Sequence, residues 1–357
     1  MNLKIPEEKI IALRMQRQYL TPDKKANKDE YTQLFRDMSP VPVRYWSAPG
    51  DPPSISSRAD FDDFEYNFKL RKNKDIVKGR FQNGSVGYVK FDEFELFIGL
   101  YKKAIGRLSR MQFELLDLIE HEDGIGVAGM KRVTGWLVKN ITPELHKLQE
   151  AFLIFENQID NEGYRMFFKL ESIFPEIDIN KYAQADALKT VLLRFARLNV
   201  LFAASMARSF YKLPVKDIQT AIDELVSSGE LICYDEKNNA YMLKSDFDFL
   251  SSPESNGLKL EKSVIVMHRN DFLVKSNEHT LKDKFKHEKY GVLQYILIDG
   301  VFHGALCGNF KFGPAVLEDI VLDLHDGEKI SRKDEILNAV YEHHDREASP
   351  LKKYCGD

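Results

Sequence analysis

The sequence predicts an α+β chain of tandem winged-helix (helix-turn-helix) domains followed by a small β-rich C-terminal domain. Three observations predict it. Asn83-Gly84 lies between two apolar-alternating arms, Lys78 to Phe81 and Ser85 to Val89. This dipeptide is the strongest short-range hairpin signal, because a type I′ turn needs positive φ at both central residues. The order helix, helix, helix, hairpin then recurs twice more at a spacing of roughly 70–80 residues, as a tandem array would. After Ser251-Ser252-Pro253 the helical period gives way to short apolar runs separated by Gly and Asp.

In the first domain, 1–106, a helix over Glu7 to Leu20 spaces Ile11, Met15 and Tyr19 along one buried side. A second helix covers Lys28 to Met38, and a third covers Ser57 to Lys72 with Phe61, Phe64, Phe68 and Leu70 as its apolar contacts. Between them Pro40, Pro42, Pro49, Pro52 and Pro53 exclude regular helix and predict a stiff, ordered loop. The Asn83-Gly84 hairpin follows, then an amphipathic segment from Phe91 to Lys103.

The second domain, 107–180, opens with a helix from Arg110 carrying Phe113, Leu116 and Ile119. After a Gly-rich break, another helix starts at Thr142-Pro143, with a capping residue and proline at the first helical position. Two aromatic-rich arms, Phe152 to Gln158 and Tyr164 to Leu170, flank the turn Asp160-Asn161-Glu162-Gly163. The third domain, 181–252, has a helix from Ala185, a short helix near Ala203 to Ser209 and a helix after Pro214 that Ser228-Gly229 ends. Its hairpin is Ile232 to Tyr234 and Tyr241 to Leu243. In the last domain, 253–357, strands are expected at 264–267, 292–297, 304–307 and 316–322, and a helix at Arg332 to His343.

A chain of 357 residues is too long for one core and divides into two to four units. No stretch approaches the roughly 18 consecutive apolar residues of a membrane span, and the first residues lack a signal peptide's apolar core. A cytoplasmic protein without membrane contact is expected. Cys233, Cys307 and Cys355 are odd in number and in no metal-ligand spacing, so reduced thiols are expected and no metal site.

The net charge of −4 divides unevenly: +6 for residues 1–110, −7 for 111–250 and −3 for the remainder. Local clusters of cations drive phosphate binding, so a basic module inside an acidic chain can still hold nucleic acid. Lys69, Arg71, Lys72, Lys74, Lys78 and Arg80 form such a run, with only Asp75 against them.

Gly124-Ile125-Gly126-Val127-Ala128-Gly129 matches the dinucleotide fingerprint literally, but that fingerprint needs a strand before it, and a helix with Glu114, Asp117 and Glu120 stands there instead. An interhelical turn is expected, and no nucleotide or other cofactor. His343-His344 point about 100° apart on a helix and are taken as solvated. Pro42-Val43-Arg44-Tyr45-Trp46 joins a cation to two aromatics beside the basic run, a combination that stacks on unpaired or flipped bases or simply anchors the loop to the core.

Taken together, Arg14 with Gln18 and Leu20, Arg58, Lys78-Gly79-Arg80 through Tyr88, Asp271, Tyr290-Gly291, Leu297, Gly300 and Gly304 resemble the bacterial AlkZ-like and YcaQ-like winged-helix DNA glycosylases over nearly the whole chain. The resemblance implies three winged helices and a β-domain around a DNA-sized concave surface, with alkylated double-stranded DNA as partner and N-glycosidic hydrolysis as the reaction. It breaks at the family's Gln-apolar-Gln or Gln-apolar-Asp triplet, which places the attacking water. Here Met38 to Tyr45 carries no Gln, Asp or Glu, and Gln16-Arg17-Gln18 lies in the first helix. Arginine is always protonated and cannot act as base. Asp51, the nearest downstream carboxylate, is the candidate catalytic residue. The expected DNA contacts are Arg44, Tyr45, Trp46, Lys74, Lys78, Arg80 and Asn83. A DNA-binding protein that acts on or senses alkylated DNA, an active glycosylase with an unconventional residue, and a non-enzymatic regulator or scaffold all remain open.

Overall fold

The computed structural model describes residues 5–44, 47–48, 50–55, 57–158, 165–310 and 313–357. Tyr45, Trp46 and the expected turn at 160–163 lie outside the described residues. Helix α1 (Glu7–Arg17) precedes α2 (Lys28–Met38), α3 (Asp63–Lys72), the hairpin β1 (Ile76–Phe81) and β2 (Ser85–Lys90), and α4 (Phe94–Tyr101). A second unit follows with α5 (Arg110–His121), β3 (Ile125–Gly126), α6 (Val127–Thr134), α7 (Val138–Glu150), β4 (Ile154–Gln158), β5 (Arg165–Lys169) and α8 (Leu170–Ile173). A third repeats the order: α9 (Gln184–Asn199), β6 (Phe202–Ala203), α10 (Ala204–Tyr211), α11 (Val215–Ser227), β7 (Leu231–Asp235), β8 (Ala240–Leu243) and α12 (Lys244–Ser251). Last come β9 (Val264–His268), α13 (Phe272–Lys284), β10 (Gly291–Ile298), β11 (Val301–Asn309), β12 (Val316–Leu322), α14 (Asp326–Ser331) and α15 (Lys333–Tyr341).

Local chemistry sets several boundaries. Asn27 caps α2 reciprocally with Glu30, and Ser109 caps α5 with Gln112, each pair satisfying backbone N–H groups that the helix leaves without partners. Three boundaries differ from expectation. Asp62 caps α3, so the helix starts six residues later than Ser57, and the residues before it remain loop. Helix α7 starts at Val138, which leaves Pro143 inside the helix instead of at its first position. Pro143 lies in the second turn, close enough to the start that few hydrogen bonds are lost.

The first hairpin also closes differently. Phe81 pairs with Ser85, so three residues, Gln82 to Gly84, form the turn, all with positive φ. The two-residue type I′ geometry appears at Asp299-Gly300, where Ile298 pairs with Val301 and both turn residues have positive φ.

The C-terminal sheet is antiparallel in the order β12-β11-β10-β9. Alternation along β10 feeds two cores. Tyr295 and Leu297 face Ile11, Met15, Leu273 and Phe285, whereas Ile296 and Ile298 face Ile336 and Val340. Helices thus cover both faces, which is why Val292 to Ile298 is nearly continuously apolar.

Helix α1 leaves the first domain, where the sequence expectation put it. Ile10 and Leu13 pack with Val200, Met242 and Leu250 of the third unit, while Ile11 and Met15 pack on the C-terminal sheet. Arg17 holds Asp246 through two bonds of 2.6 and 2.5 Å, and Arg14 donates to the Gly300 carbonyl at 2.5 Å. Gly300 admits this approach because a Cβ there would meet Ile11 Cγ2 at 2.4 Å.

One large core joins α2, the first hairpin, α4, Phe152, Phe174, α9, α10, α11 and Phe272. Phe195 is its centre, with ring centroids of Phe202, Tyr211 and Phe272 all 5.6 Å away. Such tilted and edge-on aromatic pairs add about 0.5–1.5 kcal/mol each beyond area burial. Among the described residues, no helix is long and apolar enough to cross a membrane.

Candidate nucleic-acid interface

The basic run divides between a rim and an interior. Lys69, Arg71 and Lys72 occupy the last turn of α3, where cations complement the helix dipole. Lys74, with φ of 62°, turns the chain into β1. In β1 the two-residue side-chain period places Lys78 and Arg80 on one face. That face meets the second unit.

Lys78 Nζ lies 2.5 Å from Glu156 Oε1 of β4, with side chains only 12% and 2% exposed. Gln149 links this pair to the arginine: its Nε2 donates to Glu156 Oε2 at 3.1 Å, and Arg80 Nε donates to its Oε1 at 2.8 Å. Burial lowers the Lys78 ammonium's pKa, with Glu156 opposing the shift. Burial raises that of Glu156, but the Lys78 charge and hydrogen bond outweigh it and hold the carboxyl below its usual value. The pair spans the two units. The structure thus places Lys78 and Arg80, both expected to contact DNA, against Glu156 and Gln149 of the second unit.

Above the Lys78–Glu156 pair lies a cleft of about 230 Å³. Arg71, Lys72 and Lys74 form its rim, and Tyr88, Phe155 and Phe174 its apolar floor. Lys74 Nζ sits 5.6 Å from the Phe174 ring centroid. Lys69, Lys72 and Lys74 are exposed and make no ion pair among the described residues. Arg71 donates to the Gly50 carbonyl, which fastens the proline-rich loop to the cleft edge. Burial raises the Tyr88 phenol's pKa, with Arg71 opposing and Asp51 reinforcing the shift.

Asp51 follows Gly50, whose carbonyl Arg71 of the cleft rim holds. Its Oδ2 accepts from Ala48 N at 2.7 Å, closing its own turn. Arg44 points the other way. Its Nε and NH2 donate to Ser54 Oγ at 3.0 and 2.7 Å, and NH2 lies 3.2 Å from Asp63 Oδ1. Asp63 also accepts from Tyr31 Oη at 2.9 Å, Ser54 Oγ at 2.8 Å and Ile55 N at 3.0 Å. A carboxylate that accepts from this many donors is held in place, which suits a structural anchor. Asn83 lies apart from the cleft, exposed beside a groove of Arg208, Lys212 and Lys282.

Sequence reasoning missed Asp63, Asn270 and His268. Asn270 Nδ2 donates to the Val43 carbonyl at 3.0 Å, tying the loop to the C-terminal domain. His268 is buried, and desolvation pushes its pKa down to about 4, so the ring is neutral at pH 7. His343 and His344 are not solvated. Both line a cavity of about 260 Å³, and His344 Nε2 is 2.6 Å from Gln294 Oε1. The Gly-rich stretch at 124–129 is a turn, a two-residue strand and the start of α6. Among the described residues no group of three or more His, Cys, Asp or Glu side chains could hold a metal ion.

This arrangement of helical units, short antiparallel sheets and a covered C-terminal sheet is a DNA-glycosylase-like fold. The structure is similar to that of Streptomyces sahachiroi DNA glycosylase AlkZ, with a TM-score of 0.69, 13% identity, and coverage of 98% of this chain and 100% of that one. The chain thus has an AlkZ-like fold. No protein-family model and no curated protein matches its sequence.

Proposed function

We propose that this is a winged-helix DNA-binding protein of the glycosylase-like class, working in the cytoplasm on double-stranded DNA, alkylated duplex included. The observation that carries the reading is the coincidence of an AlkZ-like fold over 98% of the chain with an exposed rim of Lys72 and Lys74, neither in an ion pair among the described residues, over an aromatic-floored cleft. In this reading the units within 1–106, 107–180 and 181–252 are winged helices, and 253–357 is the β-domain that braces them. Phosphates sit on the rim, and no nucleotide cofactor is needed. In this reading Tyr45 and Trp46, which the sequence pairs with Arg44 in a proline-rich segment, stack on an extruded base.

Equilibrium binding of a fluorescent duplex between 50 and 200 mM salt tests it. Lys72→Glu with Lys74→Glu removes two phosphate contacts and lowers the salt slope by about 1.8. Duplex binding that is absent, or indifferent to salt, refutes the proposal. Asp51, next to the Gly50 that Arg71 of the rim holds, favours a second reading, hydrolysis of an alkylated base. Duplex containing 7-methylguanine is incubated with the protein and assayed for abasic sites. Release above buffer that Asp51→Asn abolishes supports hydrolysis; release equal to buffer removes it.

A further inference from the structure

The second unit is acidic overall, yet Gly124 to Pro143 contains no Asp or Glu and carries Lys131, Arg132 and Lys139. All three cations are exposed, and none makes an ion pair or side-chain hydrogen bond among the described residues. Between them the turn joining α6 to α7 exposes apolar side chains that a solvated turn ordinarily lacks. Val133 is 58% exposed, Leu137 52% and Val138 45%.

The turn is rigid. Gly135, with φ of 73°, ends α6 by donating its N–H to the Lys131 carbonyl at 2.9 Å. Thr134 Oγ1 donates to the Met130 carbonyl at 2.7 Å and accepts from Trp136 N at 3.2 Å. Leu137 and Val138 are thus held outward on fixed backbone.

The patch and the proposed DNA face share one wall residue, Glu156. Val138 lines a cavity of about 370 Å³ with His146, Arg165 and Glu156, and Glu156 also lines the cleft beneath Lys72 and Lys74. Unpaired cations flanking an apolar projection complement the phosphates and base edges of one partner, a DNA duplex. Proteins that enter the minor groove insert apolar wedges between base steps and kink the helix by about 20–90°.

We infer that the Val133–Val138 turn is a DNA-bending wedge: Leu137 and Val138 enter a groove while Lys131, Arg132 and Lys139 hold the flanking phosphates. The inference rests on the DNA-binding reading above. It assigns that reading a second contact, one that deforms the duplex and does not merely neutralise it.

Energy transfer between dyes at the two ends of a 20-bp duplex tests the wedge in the full chain. The expected result is higher transfer on binding, lost in Leu137→Ser with Val138→Ser while the salt slope stays as it was. Because both side chains are exposed, the variant folds; circular dichroism confirms this. Lys131→Gln, Arg132→Gln and Lys139→Gln together lower the slope by about 2.7. Unchanged transfer in the Ser variant, or bound duplex with no change in transfer, overturns the wedge alone. Absence of any duplex binding overturns the DNA reading with it. Binding to phosphatidylserine vesicles that the Ser variant loses, with duplex transfer unaffected, assigns the patch to a membrane surface and overturns the wedge too.

Discussion

Replacing Arg58 with methionine strands a buried carboxylate. Arg58 is fully buried, and its NH1 and NH2 donate to Asp271 Oδ2 and Oδ1 at 2.6 and 3.0 Å. NH2 also reaches Gln18 Oε1 at 3.3 Å, and Gln18 Nε2 donates to the Leu198 carbonyl at 3.0 Å. One guanidinium therefore ties the proline-rich loop to the residues after α1, to α9 and to the start of α13. Removing one partner of a buried pair costs about 3–5 kcal/mol, because the other charge stays desolvated. Burial alone raises the Asp271 pKa, but the Arg58 charge and hydrogen bonds outweigh it and hold it below its ordinary value of 3.8. The wild-type contribution is accordingly complete above pH 3.8 and lost only as pH falls through the lower folded value. In Arg58→Met only the Leu273 N–H and His268 still oppose burial, and the folded pKa rises, at about 1.4 kcal/mol per unit, so the deficit shrinks as pH drops from 7 toward 4. Adding Asp271→Asn removes the stranded charge, while an asparagine can still cap Leu273 N, now bonded at 2.8 Å. Urea unfolding followed by circular dichroism at pH 7 and pH 5 measures both effects. A loss under about 1 kcal/mol at pH 7, an equal deficit at both pH values, or no recovery in the double variant refutes the reasoning.

Lys78→Ala uncovers Glu156 and is expected to cost about 2–4 kcal/mol of stability while leaving the DNA salt slope near wild type; a slope loss like that of the Lys72 and Lys74 variant would put Lys78 back on the DNA face. Burial pushes the pKa values of His268 and His344 down to about 4, from an ordinary 6.5. The unfolded chain takes up protons first, so stability is complete above pH 6.5 and falls between 6.5 and 4. His344→Gln flattens part of that limb, and an unaltered pH profile of urea midpoints contradicts the assignment. Phe195→Ala opens the shared core and should cost about 3–5 kcal/mol, with the third unit and α13 losing protection from hydrogen exchange together. Loss of protection confined to α9 would show that the core is not shared.

The third helix–hairpin unit was the most legible in the sequence. Pro214 before α11 and Gly229 after it, with φ of 80°, punctuate the chain where local chemistry alone decides. The C-terminal strands were legible for a different reason: a sheet covered on both faces must be apolar throughout, and its runs stand out. Helix α13, which joins β9 to β10, was missed, since its cations and polar residues hide a narrow buried stripe. The cleft was half legible. Charge density located the basic run, but sequence carries no sign of which face of β1 meets Glu156, 78 residues further on. The destination of α1 was illegible for the same reason, because its amphipathic pattern names a buried face without naming the partner. Asp63 and Asn270 gave no signal, since each works through loop contacts that no periodicity records.

The position of α1 bears on the order in which the protein can mature during synthesis. Its partners Asp246 and Gly300 are made 229 and 286 residues after Arg17 and Arg14 respectively. At about 5–20 residues per second, the helix waits on the order of 10–60 s with Ile10, Ile11, Leu13 and Met15 uncovered. The units between them can close in turn on the ribosome, but the joint that locks the third unit to the C-terminal sheet is an early segment meeting much later ones. Truncation within the last strands would therefore release a helix near the beginning of the chain, and chaperone binding to nascent chains should centre there.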